Sequence, residues 1–306
     1  MMNSKPRRIV ILFGLGIVLV LLPVIITDTR WHLTMTLICL SAVVALGLYL
    51  IAILGLVSFA QAAFYGFGSY TVAILLLKLQ IPFWIAWVFG GVLSALIAGV
   101  IGMLVLRMKG AYFFLVTLAL NQFMVWIFHS WTRVTGGYDG LRSIPPPALL
   151  NSPGKVYYLS LGLLVITFTY VITILNSRFG PVLRATTENE VMVQSYGISP
   201  FRIRMTNWIA CCFFTGLAGG ISAILIRSTF PTMFDMMVSL RYLVFLVFGG
   251  IASPIGPVIG TAILSVLSEF LTPIKEFEPL VFGSVLVLTL IFLPGGLLGL
   301  FRKKEA

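Results

Sequence analysis

The chain has 306 residues, of which 59% are hydrophobic and only 9% are charged. Soluble domains carry about 25% charged residues, so this composition excludes an ordinary soluble protein and indicates a polytopic membrane protein. The formal net charge of +11 would suggest nucleic acid binding in a soluble protein. In a membrane protein the placement of basic residues sets the topology instead. We therefore expect a lipid bilayer, and no nucleic acid, as a partner.

Apolar runs separated by charges, proline or glycine predict ten membrane-spanning helices of about 20 residues each. The predicted fold is an all-α polytopic transmembrane bundle, with residues 1–306 forming a single domain. Basic residues before the first run favour a cytoplasmic N-terminus, and an even number of crossings then places the C-terminus in the cytoplasm too. The predicted spans are 9–27, 33–54, 60–79, 81–106, 111–130, 157–175, 205–226, 236–252, 257–272 and 280–300.

Two predicted boundaries fall in runs of small residues. The stretch 55–68 predicts a tightly packed break between the second and third spans, and Gly249 with Gly250 predicts a short or broken eighth span. Broken backbone at membrane depth is tolerated only where protein or a water-filled cavity covers it. The three cysteines lie in apolar stretches, and we expect them to be small core residues.

One long polar run, residues 176–204, interrupts the apolar sequence and is expected on the cytoplasmic side. Pro181 suits the first turn of a helix and Gly197 suits the left-handed residue that closes one. We therefore predict one helix over 181–196, then a turn, then a second helix that begins at the Ser-Pro pair 199–200 and continues into the next span. Such a loop could dock on a soluble partner or lie on lipid headgroups.

The polar loop and four glycine-containing motifs together carry a resemblance to a known family. The residues of the loop that carry the resemblance are Arg178-Phe179-Gly180, Arg184-Ala185, Glu188-Asn189-Glu190 and Gly197-Ile198. Elsewhere they are Ser58 with Ala62-Ala63-Phe64, Gly66 and Gly68; Thr135-Gly136-Gly137 with Asp139-Gly140-Leu141; Gly249-Gly250 with Ser253, Gly256-Pro257 and Gly260; and Pro294 with Gly296-Leu297 and Gly299-Leu300. In this order they resemble the branched-chain amino acid permease family of bacterial ABC importers, specifically its M-type membrane subunit.

The resemblance implies a permease subunit of an ATP-driven importer in the bacterial cytoplasmic (inner) membrane, forming the path for leucine, isoleucine and valine. It implies as partners a second homologous permease subunit, two ABC ATPase subunits and an extracytoplasmic solute-binding protein. The sequence contains no G-x-x-x-x-G-K-[ST] phosphate loop, so we expect no cofactor and no enzyme activity here, with ATP hydrolysis on the separate ATPase. The loop over 178–198 would couple to it through Arg178, Gly180, Arg184, Glu188, Glu190 and Gly197.

Polar residues inside a membrane span are costly, and they face either a transport pathway or a hydrogen-bonding partner on another helix. Both interpretations stay open for three residues of the fifth span, Thr117, Asn121 and Gln122. A pathway role is also open for three small residues near the third span, where close helix packing is the default interpretation. These three are Ser58, Gly66 and Gly68.

The external loop, residues 131–156, contains a glycine-rich stretch that could form a structural turn or contact the solute-binding protein. The candidate contact residues are Thr135, Gly136, Gly137 and Asp139.

Urea or short-chain amides remain alternative solutes. An ion-coupled secondary transporter would place an acid or a cation site deep in the bundle. The sequence predicts no Asp or Glu at mid-span, which disfavours that class.

Overall fold

The computed structural model describes residues 28–271, 277–293, 295–297 and 299. The predicted first span, 9–27, lies outside these residues, as does part of the C-terminal motif, including Pro294 and Leu300. The helices of the described residues are α1 (Thr29–Ala52), α2 (Gln61–Lys78), α3 (Phe83–Val105), α4 (Gly110–Ser130), α5 (Thr132–Thr135), α6 (Pro153–Asn176), α7 (Phe179–Glu188), α8 (Glu190–Ser195), α9 (Pro200–Ile226), α10 (Met236–Gly249), α11 (Ile255–Phe270) and α12 (Glu278–Phe292).

The all-α transmembrane class predicted from the sequence is confirmed. Six helical segments of the described residues are long and apolar enough to cross a membrane: Arg30–Ala52, Phe83–Val105, Gly110–Ser130, Pro153–Asn176, Pro200–Ile226 and Pro231–Gly249. The helices α11 and α12 are apolar but shorter. Each predicted span after the first coincides with a helix. The ends differ by a few residues, except that α12 ends at Phe292 while the last predicted span continues to 300. The total of ten crossings stays a prediction.

The helix α9 lies at the centre of the bundle and packs against α1, α2 and α3. Trp208, Cys211 and Cys212 on α9 are fully buried, and Cys39 on α1 is buried as well. The interpretation of the cysteines as small core residues is therefore confirmed. A second group of contacts joins α10 to α11 and α12, and joins α10 and α11 to α1.

The helices α2 and α9 cross with their backbones in contact. A Cβ atom added to Gly68 would lie 1.9 Å from the carbonyl oxygen of Gly216, and one added to Gly219 would lie 1.9 Å from the carbonyl oxygen of Tyr65. Small residues allow such close approach, which is how membrane helices gain dispersion energy without a hydrophobic driving force between them. Glycine at 68 and 219 therefore fixes the crossing of the two helices.

Both breaks predicted from small residues are confirmed. The chain leaves α1 at Ala52 and begins α2 at Gln61, with residues 58–60 buried in the connection. At the second break α10 ends at Gly249, where an added Cβ would lie 2.0 Å from the carbonyl oxygen of Gly256. At each break part of the non-helical backbone is buried against neighbouring protein, namely residues 58–60 at the first and Gly250 at the second. Such cover is needed because a bilayer offers no water to its polar groups.

The connections opposite the polar loop also fold against the helices. Two short strands, Leu141–Arg142 and Ser228–Thr229, pair in antiparallel register. The hydroxyl groups of Thr229 and Ser69, the latter on α2, lie 2.8 Å apart. A 3₁₀ turn over Pro231–Phe234 follows and leads into α10. The segment before α10 is thus drawn into the bundle.

Candidate functional site

The polar loop begins with α7, which is anchored to the rest of the protein at two points. Gly180 approaches α6 so closely that an added Cβ would lie 2.0 Å from the carbonyl oxygen of Leu175. The hydroxyl of Thr187 donates a hydrogen bond to the carbonyl oxygen of Ile53, just after α1, at 2.6 Å. Leu183 is buried beneath the helix. The loop is therefore a packed element of the fold.

The single helix predicted over 181–196 is wrong, because the chain breaks at Asn189 into α7 and α8. Asn189 has extended backbone angles, φ −153° and ψ 95°, and its side-chain oxygen accepts a hydrogen bond from the Met192 N–H at 3.1 Å. Asparagine favours this N-cap arrangement because its short side chain satisfies an amide that the helix leaves unpaired. Pro181 lies in the first turn of α7, although Phe179 begins that helix.

The end of α8 has the turn that the sequence predicts. Gly197 has a left-handed φ of +75°. Its N–H donates to the Gln194 carbonyl at 2.9 Å, and the Ile198 N–H donates to the Val193 carbonyl at 3.4 Å. This pair of bonds is the Schellman arrangement, which satisfies carbonyl groups that the helix end would leave unpaired. Because an added Cβ would meet nothing within 4 Å, the need for glycine is conformational.

Glu190, the first residue of α8, faces inward and joins three segments of the chain. Its carboxylate forms ion pairs with Lys109, just before α4, and with Arg204 near the start of α9. The Arg204 side chain is buried. Burial alone would raise the pKa of the Glu190 carboxyl, but the hydrogen bond from Lys109 and the charges of Arg204 and Lys109 outweigh it, so the pKa is lowered. Glu190 is therefore ionised and fastens the loop to α9.

The opposite side of the loop is exposed and combines charged with large apolar side chains. Tyr196 is 73% exposed and Val191 is 75% exposed. Large apolar groups exposed together at the tip of a polar loop are typical of a contact surface for another macromolecule. We call this the loop face; its members are Arg178, Phe179, Arg184, Glu188, Val191, Met192 and Tyr196. Of the predicted coupling residues, Arg178, Arg184 and Glu188 lie on this face, whereas Gly180, Glu190 and Gly197 shape or anchor the loop.

Side chains from α4 and α10 cap the buried beginning of α2. The amides at the start of a helix have no partner within that helix. Three hydrogen bonds from α2 and the residues just before it join Phe59 N–H to Thr117 Oγ1 (3.1 Å), Ala62 N–H to Ser239 Oγ (3.1 Å) and Ala63 N–H to Asn121 Oδ1 (3.0 Å). Thr117 and Asn121 thus share the buried face of α4 and bond to a neighbouring helix. Their role in lining a path stays a prediction.

Gln122 differs from its neighbour because it is exposed on the outer surface of α4. Its side-chain amide donates a hydrogen bond to the carboxylate of Asp235 at 3.3 Å. Gln122 lies in the middle third of α4, about 12 Å of helix axis from the nearer end. No described acid lies in the middle of its own span, as the sequence predicts, but Asp235 at the start of the segment Pro231–Gly249 lies beside the middle of α4, because this segment folds back into the bundle.

The other predicted pathway residues lie inside the subunit. Ser58 is fully buried and accepts a hydrogen bond from the Ala60 N–H at 3.3 Å. A Cβ added to Gly66 would lie 2.9 Å from ring atoms of both Phe128 and Phe234. With the backbone contact at Gly68, these positions have the close packing that is the default role of small residues in a bundle. A part in transport stays a prediction for them.

The external glycine loop combines a buried base with an exposed tip. The Thr135 hydroxyl donates to the carbonyl oxygens of Phe128 and Trp131, at 2.7 and 2.9 Å. Gly136 and Gly137 have left-handed φ values of +79° and +62°. Asp139 is exposed. Thr135 and the glycines therefore build the turn, and of the four predicted contact residues Asp139 is the most accessible to a partner.

Comparison with known proteins gives consistent matches. The family model described as branched-chain amino acid transport system / permease component matches residues 32–294. The high-affinity branched-chain amino acid transport system permease proteins LivM of Salmonella typhimurium (strain LT2) and Escherichia coli (strain K12) are each 29% identical to this chain. These alignments cover 89% and 88% of this chain and 70% of each relative. The probable branched-chain amino acid transport permease protein LivH of Methanocaldococcus jannaschii is 25% identical, over 87% of this chain and 90% of the relative. No solved structure matches the chain.

Proposed function

The chain belongs to the family of branched-chain amino acid transport system permease components, and we propose that it is the membrane-spanning permease of an ATP-driven importer for leucine, isoleucine and valine. The relatives are named as permease proteins, which confirms a transport component rather than an enzyme. The apolar helices likewise support a multi-pass membrane protein. The proposal places it in the bacterial inner membrane as a single domain, residues 1–306, with both termini in the cytoplasm.

The loop face is the observation that carries the proposed coupling to an ATPase. The loop is anchored through Glu190, Gly180 and Thr187, so a force applied to its exposed side reaches α9 and α1 without first unfolding the loop. Arg184 and Glu188 offer charges to a partner, beside exposed apolar groups such as Tyr196. In the proposed mechanism, movement of the ATPase subunits displaces the loop over 178–198, and rigid helices switch the path between outward-facing and inward-facing states.

The proposed assembly contains a second homologous permease subunit, two ABC ATPase subunits and an extracytoplasmic solute-binding protein. The external loop, residues 131–156, would meet the binding protein, with Asp139 at its exposed tip. On this proposal the transport path lies between the two permease subunits. Gln122, of the six predicted pathway residues, is the one whose side chain is exposed on the outside of this subunit.

Two alternatives predict different results. Urea or short amides would be carried by the same machinery. An ion-coupled transporter is favoured by one observation, the Asp235 carboxylate beside the middle of α4, because such transporters use deep acids to bind protons or sodium. That class would need no ATPase, so the loop face would have no ATPase to bind.

Reconstitution tests the proposal against both alternatives. The tagged chain, purified from its native membrane, should bring with it a second permease and an ATPase that carries a phosphate-binding loop. In proteoliposomes, this complex with its binding protein should take up radiolabelled leucine only when ATP is supplied. Uptake driven by a proton or sodium gradient without ATP would contradict the proposal. Uptake of urea instead of leucine would show that the importer class is right but the proposed solute is wrong.

A matched pair of variants tests the loop face. Tyr196→Ala removes an exposed aromatic side chain from the loop, and Tyr138→Ala removes one of similar exposure (82%) from the external loop. Loss of an aromatic anchor from an interface typically costs 2 kcal/mol or more, or about 30-fold in affinity. The Tyr196 variant should therefore lose most of the ATPase during purification, whereas the Tyr138 variant should retain it. Equal retention by both would show that the loop face is not the docking surface.

A further inference from the structure

Asp235 is a carboxylate placed within the thickness of the helical bundle. It follows the 3₁₀ turn over Pro231–Phe234, which is drawn inward because the side-chain amide of Asn121 donates to the Phe234 carbonyl at 3.2 Å. The next residue of α4, Gln122, donates to Asp235 itself at 3.3 Å. Both anchors lie in the middle third of α4. Asp235 is therefore far from either end of this membrane-spanning helix.

The Asp235 carboxylate has no cation beside it in the described part of the chain. Glu190 pairs with Lys109 and Arg204, and Glu278 pairs with Arg241, but no ion pair between described residues includes Asp235. Its Oδ1 atom accepts hydrogen bonds from the Met236 N–H, at 2.7 Å, and from Gln122. No hydrogen bond from a described residue reaches Oδ2. The carboxyl group is thus held in place by two neutral donors, without an ion-pair partner among the described residues.

The position of this pair is incompatible with a lipid environment. Gln122 is exposed and Asp235 is half-buried, so both polar groups face the outside of the subunit. A carboxylate among lipid chains is costly, so acidic residues at membrane depth face the bundle interior or a water-filled cavity. The adjacent exposed residues of α4 are apolar, namely Leu115, Phe123 and Trp126. The polar surface formed by Gln122 and Asp235 is therefore small. Because a carboxylate is costly in lipid, we expect water and a cationic group to lie opposite it.

We propose that Asp235 and Gln122 form a contact site in the transport path for the ammonium group of an amino acid. The carboxylate oxygen Oδ2 accepts a hydrogen bond from the ammonium group, and the side-chain oxygen of Gln122 supplies a second acceptor. Because the Met236 N–H and the Gln122 amide already hold Asp235, the site is ordered before the solute arrives. This inference rests on the proposed function, and it favours solutes with a protonated amine over urea and neutral amides.

The first experiment asks whether the site is wet and negatively charged. A cysteine at position 122 is introduced by Gln122→Cys, and its reaction with membrane-impermeant cationic and anionic methanethiosulfonate reagents is compared in the assembled complex. We expect reaction several-fold faster with the cationic reagent, slowing in the presence of leucine and its binding protein. Adding Asp235→Asn should abolish the preference for the cation. The control is Ile166→Cys, an exposed position in the middle third of α6, which should react with neither reagent.

The second experiment asks whether the charge serves transport. Asp235→Asn is the informative change, because asparagine caps a helix as well as aspartate does and still accepts from Gln122. Uptake of leucine by the complex should fall at least tenfold, while the amounts of ATPase and second permease that purify with the chain stay unchanged. Wild-type uptake in this variant would overturn the inference, as would an unreactive cysteine at position 122. Loss of the second permease would overturn it too, because the cation opposite Asp235 would then belong to the partner.

These outcomes are separate from those that test the proposed function. If the unsubstituted complex fails to import leucine with ATP, the proposed function is wrong whatever the variants do. If it imports leucine and Asp235→Asn does so equally well, only the contact site is wrong. The reagent preference at position 122 is measured without transport and reports on the charge of Asp235 in either case.

Discussion

The carboxylate of Glu190 on α8 pairs with the guanidinium of Arg204 near the start of α9, so the end of the polar loop is fastened to the central helix. Lys109, at the beginning of α4, pairs with the same carboxylate. Removing one partner of a buried pair costs more than the pair contributes, because the remaining charge stays buried without compensation. The fold therefore depends on Glu190 at a point where the loop and two membrane helices meet.

Glu190→Gln should weaken this junction, because the buried Arg204 loses its counter-charge. We expect a loss of about 1–3 kcal/mol of stability and a several-fold fall in leucine uptake by the complex. The matched control is Glu188→Gln, which alters an exposed carboxylate outside the described ion pairs and should leave stability unchanged. Thermal unfolding of the purified chain in detergent measures both. Equal stability of the two variants would show that the Glu190 ion pairs carry no net energy.

Because the pKa of Glu190 is lowered, the stability that its ion pairs contribute depends on pH in a defined way. A carboxyl group whose pKa is lower in the folded state stabilises the fold at any pH above its ordinary pKa, which is 4.5 for glutamate. This stabilisation is lost as the pH falls through the lowered pKa. The difference in unfolding temperature between the wild type and Glu190→Gln should therefore stay constant from neutral pH down to about pH 5. It should shrink in more acidic buffer. A difference that instead grew on acidification would contradict the assignment.

Gly197→Ala should disturb the turn between α8 and α9. A residue with a Cβ loses about 1 kcal/mol or more when it adopts a left-handed conformation, and the two hydrogen bonds of this turn are made with Gly197 in that conformation. We expect normal membrane insertion with reduced uptake and weaker retention of the ATPase. Gly197→Asn is the control, because asparagine tolerates this conformation better, and it should retain more activity than the alanine variant. Full activity of Gly197→Ala would show that the left-handed turn is dispensable.

Gly68→Ala should be strongly destabilising, although it adds a single methyl group. The added Cβ would lie 1.9 Å from the Gly216 carbonyl oxygen, so α2 and α9 must separate. Overpacking of this kind costs about 1–3 kcal/mol and occasionally more. Gly162→Ala, on α6, meets nothing within 4 Å and should be neutral or stabilising. The yield and unfolding temperature of the two purified variants test this contrast, and equal behaviour would contradict the close crossing.

Local signals in the sequence predicted the features that local chemistry controls. Gly197 and the Ser199-Pro200 pair act through their own backbone preferences, so the turn and the start of α9 could be placed correctly. The break at Asn189 does not follow from Pro181 and Gly197, which by themselves predict one continuous helix between them. An asparagine directly before Glu190, an acidic residue suited to a first helical turn, was the signal that could have revealed it.

The features that could not be predicted from the sequence depend on contacts between residues far apart in the chain. In the sequence Asp235 directly precedes an apolar run, which predicts a place at the membrane edge, whereas the bonds from Asn121 to the Phe234 carbonyl and from Gln122 to Asp235 bring it beside the middle of α4. The cap that Ser239 provides for Ala62 joins residues far apart in the chain, and no periodicity reports it. The inward direction of Glu190 likewise depends on Lys109 and Arg204, whose proximity is a property of the tertiary fold.

The native thiols of this chain are enclosed by the bundle. Cys39, Cys211 and Cys212 are all free, and all are buried. Cysteine reactivity requires an accessible thiolate, so aqueous sulfhydryl labels should ignore these three positions. The wild-type sequence can therefore serve directly as the parent for single-cysteine labelling, spin-probe distances and crosslinks, without first constructing a cysteine-less background.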